Sequence, residues 1–229
     1  MPVLIRLILL IVGYAFGLFQ TGYFYGKITG NDLRKEGSGN TGATNALRTH
    51  GFKAAFLIFF FDALKAFIPC FAVRLIFRED SYRFVYIMYT ALGVILGNDY
   101  PVYLKFKGGK GVAATCGYAF AWQWMYTLIG LALFFSIAFL TGYVSLASIS
   151  ASVFIFLCGI LFGFAELGGP GPVFFEFVIL IAVLQFLLVW RHRTNIVRLV
   201  HGTENRFGHK KKAAVSMDTA ADKAPEAKN

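Results

Sequence analysis

Long apolar runs broken by short polar clusters make up most of this chain. The runs fall near 3–25, 54–77, 84–97, 111–121, 124–140, 144–164 and 173–190. At 1.5 Å per residue, about 20 residues cross the hydrocarbon of a bilayer, so most of these runs predict spanning helices. The runs at 84–97 and 111–121 are shorter and predict tilted or incomplete crossings. The stretch 111–140 reads as one long helix or as two shorter ones.

Charge separates those two readings. If 111–140 crosses once, the basic segment after Trp190 lies opposite the other basic loops; if it crosses twice, all of them share one side. Cations collect on the cytoplasmic side of membrane proteins, which favours two crossings with a turn at Trp122-Gln123-Trp124. The expectation is an all-α, polytopic integral membrane protein of about seven transmembrane helices, N-terminus outside and C-terminus cytoplasmic. Arg74, Arg78 and Arg83 then lie outside, against the rule, while Thr141 to Ser145 reach the cytoplasmic face.

Composition agrees. The 229 residues are 57% hydrophobic and 17% aromatic, with mean hydropathy +0.62. Only 15% are charged, against roughly 25% in a soluble domain, which excludes an ordinary soluble fold. Between Gly111 and Trp190 the charges are Glu166 and Glu176 alone. Cys70, Cys116 and Cys158 are odd in number and stand in apolar surroundings, as small hydrophobes do. No small-residue cleavage site follows the first run, so it reads as a retained span rather than a signal peptide. Residues 1–208 read as a single transmembrane domain and 209–229 as a disordered cytoplasmic tail.

The net charge of +10 is concentrated: fifteen of the 22 Lys and Arg residues lie around three polar segments. The first, 37–48, carries Gly37, Ser38, Gly39, Asn40, Gly42, Asn45 and Arg48. Its glycines permit a tight path with free N–H groups. Ser38 is expected to cap a helix from Thr41 that puts Thr41, Asn45 and Arg48 on one face. A phosphate at that helix start would meet backbone donors and a guanidinium. The second, Lys107-Gly108-Gly109-Lys110-Gly111, lacks the spacing of a nucleotide-binding P-loop and predicts a small anion nest. The third, from His192, places Asn195 and Arg198 three residues apart on a short helix that ends before Glu204. Glycines and cations in this pattern point to phosphate chemistry at a membrane surface. Asp62 and Lys65, inside the second run, read as a mutually satisfied structural pair. Ser145 and Ser148 read equally as interhelical contacts or ligand contacts. The chain has no H-x-x-x-x-D, H-E-x-x-H or G-x-S-x-G, so a familiar nucleophile and base are not expected.

Taken together, Gly37 to Arg48, Lys105 to Ala113 and His192 to Glu204 resemble the acyl-phosphate-dependent glycerol-3-phosphate acyltransferases of bacterial plasma membranes, the PlsY family. The order and spacing of the segments match across nearly the whole chain. The chain departs from that family at Asn98, where His is frequent, at Gly142 and Ala66, and at Leu18-Phe19-Gln20, where the family carries Ser-Ile-Pro.

The resemblance implies transfer of a fatty acyl group from a long-chain acyl phosphate to the sn-1 hydroxyl of glycerol 3-phosphate in a bacterial inner membrane. It implies no cofactor, metal or nucleic acid, and membrane lipids as surroundings. Ser38, Lys110, His192 and Asn195 are the expected catalytic residues. Gly37, Gly39, Asn40, Gly42, Asn45, Arg48, Lys107, Gly108, Gly109, Gly111, Ser145, Arg198 and Glu204 are expected to bind substrate. The rival reading is a small transporter or flippase for an organic phosphate, which uses the same loops as a vestibule.

Overall fold

A computed structural model describes residues 2–206; the expected tail at 209–229 lies outside them. In chain order the helices are α1 Pro2–Gly17, α2 Thr21–Thr29, α3 Ala43–Thr49, α4 Gly51–Ile76, α5 Arg83–Asp99 and α6 Val112–Trp122. They continue as α7 Trp124–Thr141, α8 Val144–Glu166, α9 Pro172–Arg191 and α10 Arg193–Val200. Five segments are long and apolar enough to cross a bilayer: Val3–Thr29, Gly51–Ile76, Trp124–Thr141, Val144–Glu166 and Pro172–Arg191. Large side chains point outward along them, Leu161 at 70% and Leu140 at 86% exposure. Surface of that kind belongs against lipid, not water.

α5 is the centre of the bundle, with most of its 17 residues buried. α1 packs on it through facing pairs of glycines. A Cβ on Gly13 would run into the Thr90 carbonyl oxygen, and one on Gly17 into that of Val94. On α5, Gly93 and Gly97 press equally on the Leu10 and Tyr14 carbonyls. These are two G-x-x-x-G stripes whose missing side chains let the backbones meet, a common association mode within membranes.

Two breaks shape the rest. The run expected at 3–25 is not one helix: Leu18 to Gln20 separate α1 from α2 without any proline. The carbonyls freed there are taken up by side chains, Leu18 by Tyr103 Oη at 2.7 Å and Phe19 by Lys65 Nζ at 2.6 Å. Non-helical backbone at membrane depth requires such internal partners. The stretch 111–140 is two helices, with Gln123 extended between them. Arg74 donates to the carbonyls of Ala121 and Trp122 at 2.8 and 3.0 Å, closing the end of α6. This accounts for one arginine of the cluster that topology alone disfavoured.

Lys65 also donates to Asp62 Oδ1 at 2.7 Å and Asn98 Oδ1 at 2.8 Å. Thr21 donates to the same Asp62 oxygen at 2.8 Å. All three protons of the ammonium therefore have acceptors, and the expected structural pair extends into a wider network.

Candidate functional site

The three polar segments meet at one end of the bundle. Lys110 Nζ donates to Asn195 Oδ1 at 2.5 Å, and Asn195 Nδ2 donates to Glu204 Oε1 at 2.9 Å. Arg198 Nε holds the other carboxylate oxygen, Oε2, at 2.8 Å. Arg48, in the last turn of α3, reaches the Asn205 carbonyl at 3.3 Å. Arg48, Lys110 and Arg198 thus surround a single carboxylate, and each keeps N–H groups that these bonds do not use.

Burial and charge tune the cluster. Burial pulls the Lys110 ammonium down to about 8, Arg198, Arg48 and Arg191 push the same way, and Glu204 opposes them. Burial alone would raise Glu204, but the bonds from Arg198 and Asn195 outweigh it and hold the carboxyl below its ordinary range. His192 is buried, and its Nδ1–H donates to the Leu188 carbonyl at 2.8 Å. Burial lowers it to about 4, so it stays neutral near pH 7 and is a weak proton acceptor. The buried Ser145 hydroxyl, at this end of α8, faces the Glu204 carboxyl and adds to the bonds that hold it down. Ser148 instead bonds back to the Val144 carbonyl at 2.8 Å, an ordinary helical contact.

The glycine loops differ from expectation in what their amides do. α3 starts at Ala43, after Thr41, and its first turn has no side-chain cap. Ser38 does not cap it: both Ser38 N–H and Oγ–H donate to Asn45 Oδ1, at 2.8 and 3.1 Å. Asn45 Nδ2 donates to the carbonyls of Leu33 and Glu36, each at 3.0 Å. Asn45 is buried and its amide is fully engaged, so it organises the loop and leaves no atom for a ligand. Gly39 N–H goes to the Glu36 carbonyl, and Gly42 N–H to Asn40 Oδ1. Gly37 and Gly39 are needed for their positive φ of 58° and 71°. Among the described residues no hydrogen bond joins Ser38 or Asn40 to the cation cluster; Arg48 is the first segment's link to it.

In the second loop two of the amides are likewise taken. Gly108 N–H donates to the Asp99 carbonyl and Gly109 N–H to that of Asn98, at 3.2 and 3.0 Å. A turn lying against the end of α5 satisfies that helix's last two carbonyls and these two glycine amides together. Gly111, at φ 76°, turns the chain into α6. Lys107 is exposed, whereas Lys110 points into the cluster.

Arg191 escaped the sequence reading, where it counted only as juxtamembrane charge. Its guanidinium donates to the Gly108 carbonyl at 2.9 Å and to that of Gly109 at 2.6 and 2.9 Å. Its place directly before His192 was the one available signal.

An apolar groove of about 80 Å³ lies between α4, α6, α7 and α8, with Leu188 of α9 in its wall. Phe59, Val112, Cys116, Phe134 and Ile155 line it, and Val112 directly follows the Lys110 turn.

Residues 7–202 match the family model described as glycerol-3-phosphate acyltransferase. A glycerol-3-phosphate acyltransferase of Aquifex aeolicus (strain VF5) is 40% identical over 201 residues, 88% of this chain and 98% of that relative. One of Prochlorococcus marinus (strain NATL1A) is 38% identical over 204 residues, 89% of this chain and 98% of that relative. Among solved structures, the integral membrane glycerol 3-phosphate acyltransferase PlsY in its glycerol 3-phosphate form superposes with a TM-score of 0.77. It is 39% identical and covers 89% of this chain and 96% of that one. The lysophosphatidic acid form gives a TM-score of 0.75 at 38% identity, covering 89% and 95%. The order of the three segments, the all-helical membrane fold and these relatives agree: the chain belongs to the glycerol-3-phosphate acyltransferase family and is a multi-pass membrane protein.

Proposed function

We propose that this protein transfers a fatty acyl group from acyl phosphate to the sn-1 hydroxyl of glycerol 3-phosphate, releasing lysophosphatidic acid and phosphate. The reading places it in the inner membrane of a bacterium, residues 1–208 acting as one domain and the cation cluster facing the cytoplasm. The observation that carries it is the gathering of Arg48, Lys110 and Arg198 about Glu204, which Arg198 bonds directly, Lys110 through Asn195, and Arg48 by charge from its bond to the neighbouring Asn205 carbonyl, with donors to spare. Both substrates bring phosphate, and such a cluster favours dianions at a water–lipid boundary.

The acyl chain lies in the groove that ends at Val112, so its carbonyl comes up beside Lys110. Arg198 and Asn195 orient the acceptor, while Arg48 and Lys110 hold phosphoryl oxygens. The acceptor hydroxyl oxygen bonds to the acyl carbon as the bond from that carbon to the phosphate oxygen breaks. The hydroxyl proton passes to the acceptor's own phosphate, since His192 is a weak base. An activated donor leaves the protein the tasks of positioning and of stabilising the charge on the carbonyl oxygen.

The transporter reading is not what the relatives are named for. Purified protein in detergent, where no gradient exists, given palmitoyl phosphate and labelled glycerol 3-phosphate, should form lysophosphatidic acid. Palmitoyl-CoA in place of palmitoyl phosphate should form none. Absence of product from both donors contradicts the assignment.

A further inference from the structure

The turn that carries Lys110 is gripped from both sides by groups outside the phosphate cluster. From below, the carbonyls of Asn98 and Asp99 take the amides of Gly109 and Gly108. From above, three bonds from Arg191 take the carbonyls of the same two glycines. The Arg191 guanidinium also lies 5.1 Å from the centre of the Tyr100 ring and 3.9 Å from Asp99 Oδ2. That oxygen is fully buried and has no hydrogen-bond partner, while Asn98 Nδ2 holds Oδ1 at 2.8 Å. A Cβ on Gly108 would collide with the Asn98 carbonyl oxygen, so the turn fits only while it stays seated.

We propose that Arg191, backed by Asp99 and Tyr100, is a positioning residue that seats the Gly108–Gly109 turn and so fixes where the Lys110 ammonium stands among the phosphate-binding cations. A guanidinium suits the task, because its planar fork spans two adjacent carbonyls and stacks on an aromatic ring at the same time. The groups acting on Lys110 are Arg48 from α3, Arg191 and His192 at the end of α9, and Asn195, Arg198 and Glu204 from α10 and beyond. Arg191 is one of the cations that discourage a charge on Lys110. Removing it therefore does two separable things: it loosens the turn and makes the Lys110 ammonium easier to keep.

The test reads both. Acetic anhydride labels only the neutral amine, so the pH dependence of Lys110 acetylation, followed by mass spectrometry, reports its titration without any substrate. The wild-type midpoint is expected near 8, and in Arg191→Gln it should rise, because a neighbouring cation is gone and the loosened turn gives the ammonium more water. In the same variant kcat/KM for glycerol 3-phosphate should fall about tenfold. If the Arg191→Gln midpoint stays at the wild-type value, the proposal is overturned, whatever happens to turnover.

Arg191→Lys decides the case if Arg191→Gln does not fold. It keeps the charge and loses the fork, so the midpoint should hold while kcat/KM falls; an unchanged kcat/KM overturns the proposal. Asp99→Asn combined with Arg191→Gln should cost little more than Arg191→Gln alone, because the two act as a unit; additive losses contradict the coupling. The kinetic arm rests on the acyl-transfer reading and the labelling arm does not. A wild-type protein that labels as expected but transfers nothing would indict that reading and leave the seating of Lys110 intact.

Discussion

Lys65 and Lys110 are two lysines withdrawn from solvent, and their surroundings have opposite logic. Lys65 spends all three protons on Phe19, Asp62 and Asn98, inside a network that holds a broken helix together. Lys110 makes one bond, to Asn195, and stands among other cations that discourage its charge. A saturated ammonium in a membrane protein is a structural clamp. An ammonium with protons to spare and too many like neighbours is a place prepared for an anion.

Breaking the clamp should have the largest effect. Lys65→Met leaves the Asp62 carboxylate and the Phe19 carbonyl without their cation, at a cost of about 3–5 kcal/mol in stability. Thermal unfolding in detergent should register this as a much lower midpoint or a loss of folded protein. A midpoint near wild type would mean that the break at Leu18–Gln20 holds without Lys65. The open cluster should behave the other way round. Arg48→Ala is expected to cost about 10²–10³-fold in turnover with an almost unchanged unfolding midpoint, since Arg48 is exposed and bonds only one carbonyl.

Lys110→Arg sharpens the contrast through pH. The phosphate-holding form of Lys110 is the cation, and its pKa is lowered to about 8, so wild-type activity should fall as pH rises through that value. A guanidinium stays charged throughout, so the alkaline limb of the pH–rate profile should vanish in Lys110→Arg even if its rate is lower. A limb that persists near pH 8 would assign it to another group. The smallest effect belongs to Ser148, whose hydroxyl bonds only within its own helix. Ser148→Ala should change kcat/KM by less than about twofold although Ser148 lines the groove, and a large loss would mean that its hydroxyl bonds substrate.

The helical layout was legible because hydropathy reports directly on lipid exposure. Six of the seven apolar runs correspond to single helices within a few residues, α4 to α9. The division of 111–140 into α6 and α7 is legible in charge parity alone. The break between α1 and α2 was not legible, because no proline marks it; Lys65 and Tyr103 hold it open from other parts of the chain.

The two facing glycine pairs, Gly13/Gly17 and Gly93/Gly97, were readable as G-x-x-x-G but gain meaning only once they face each other. In the site, residue types announced an anion, and Arg48, Lys110, Asn195, Arg198 and Glu204 do come together. The amides of Gly39, Gly42, Gly108 and Gly109 misled: a loop's N–H groups look free in a sequence until the oxygens that take them are known. Asn45 reads as a ligand contact for the same reason, and Arg191 reads as mere topology.

The central claim is that the unsaturated cations, Lys110 foremost, are where phosphate is held for acyl transfer. Its most direct test is transfer from palmitoyl phosphate to labelled glycerol 3-phosphate by purified wild type and Lys110→Ala, side by side in detergent. The expected result is lysophosphatidic acid from the wild type and a loss of at least about 100-fold in the variant, with matching unfolding midpoints. A correctly folded Lys110→Ala protein working within about threefold of wild type would contradict the account.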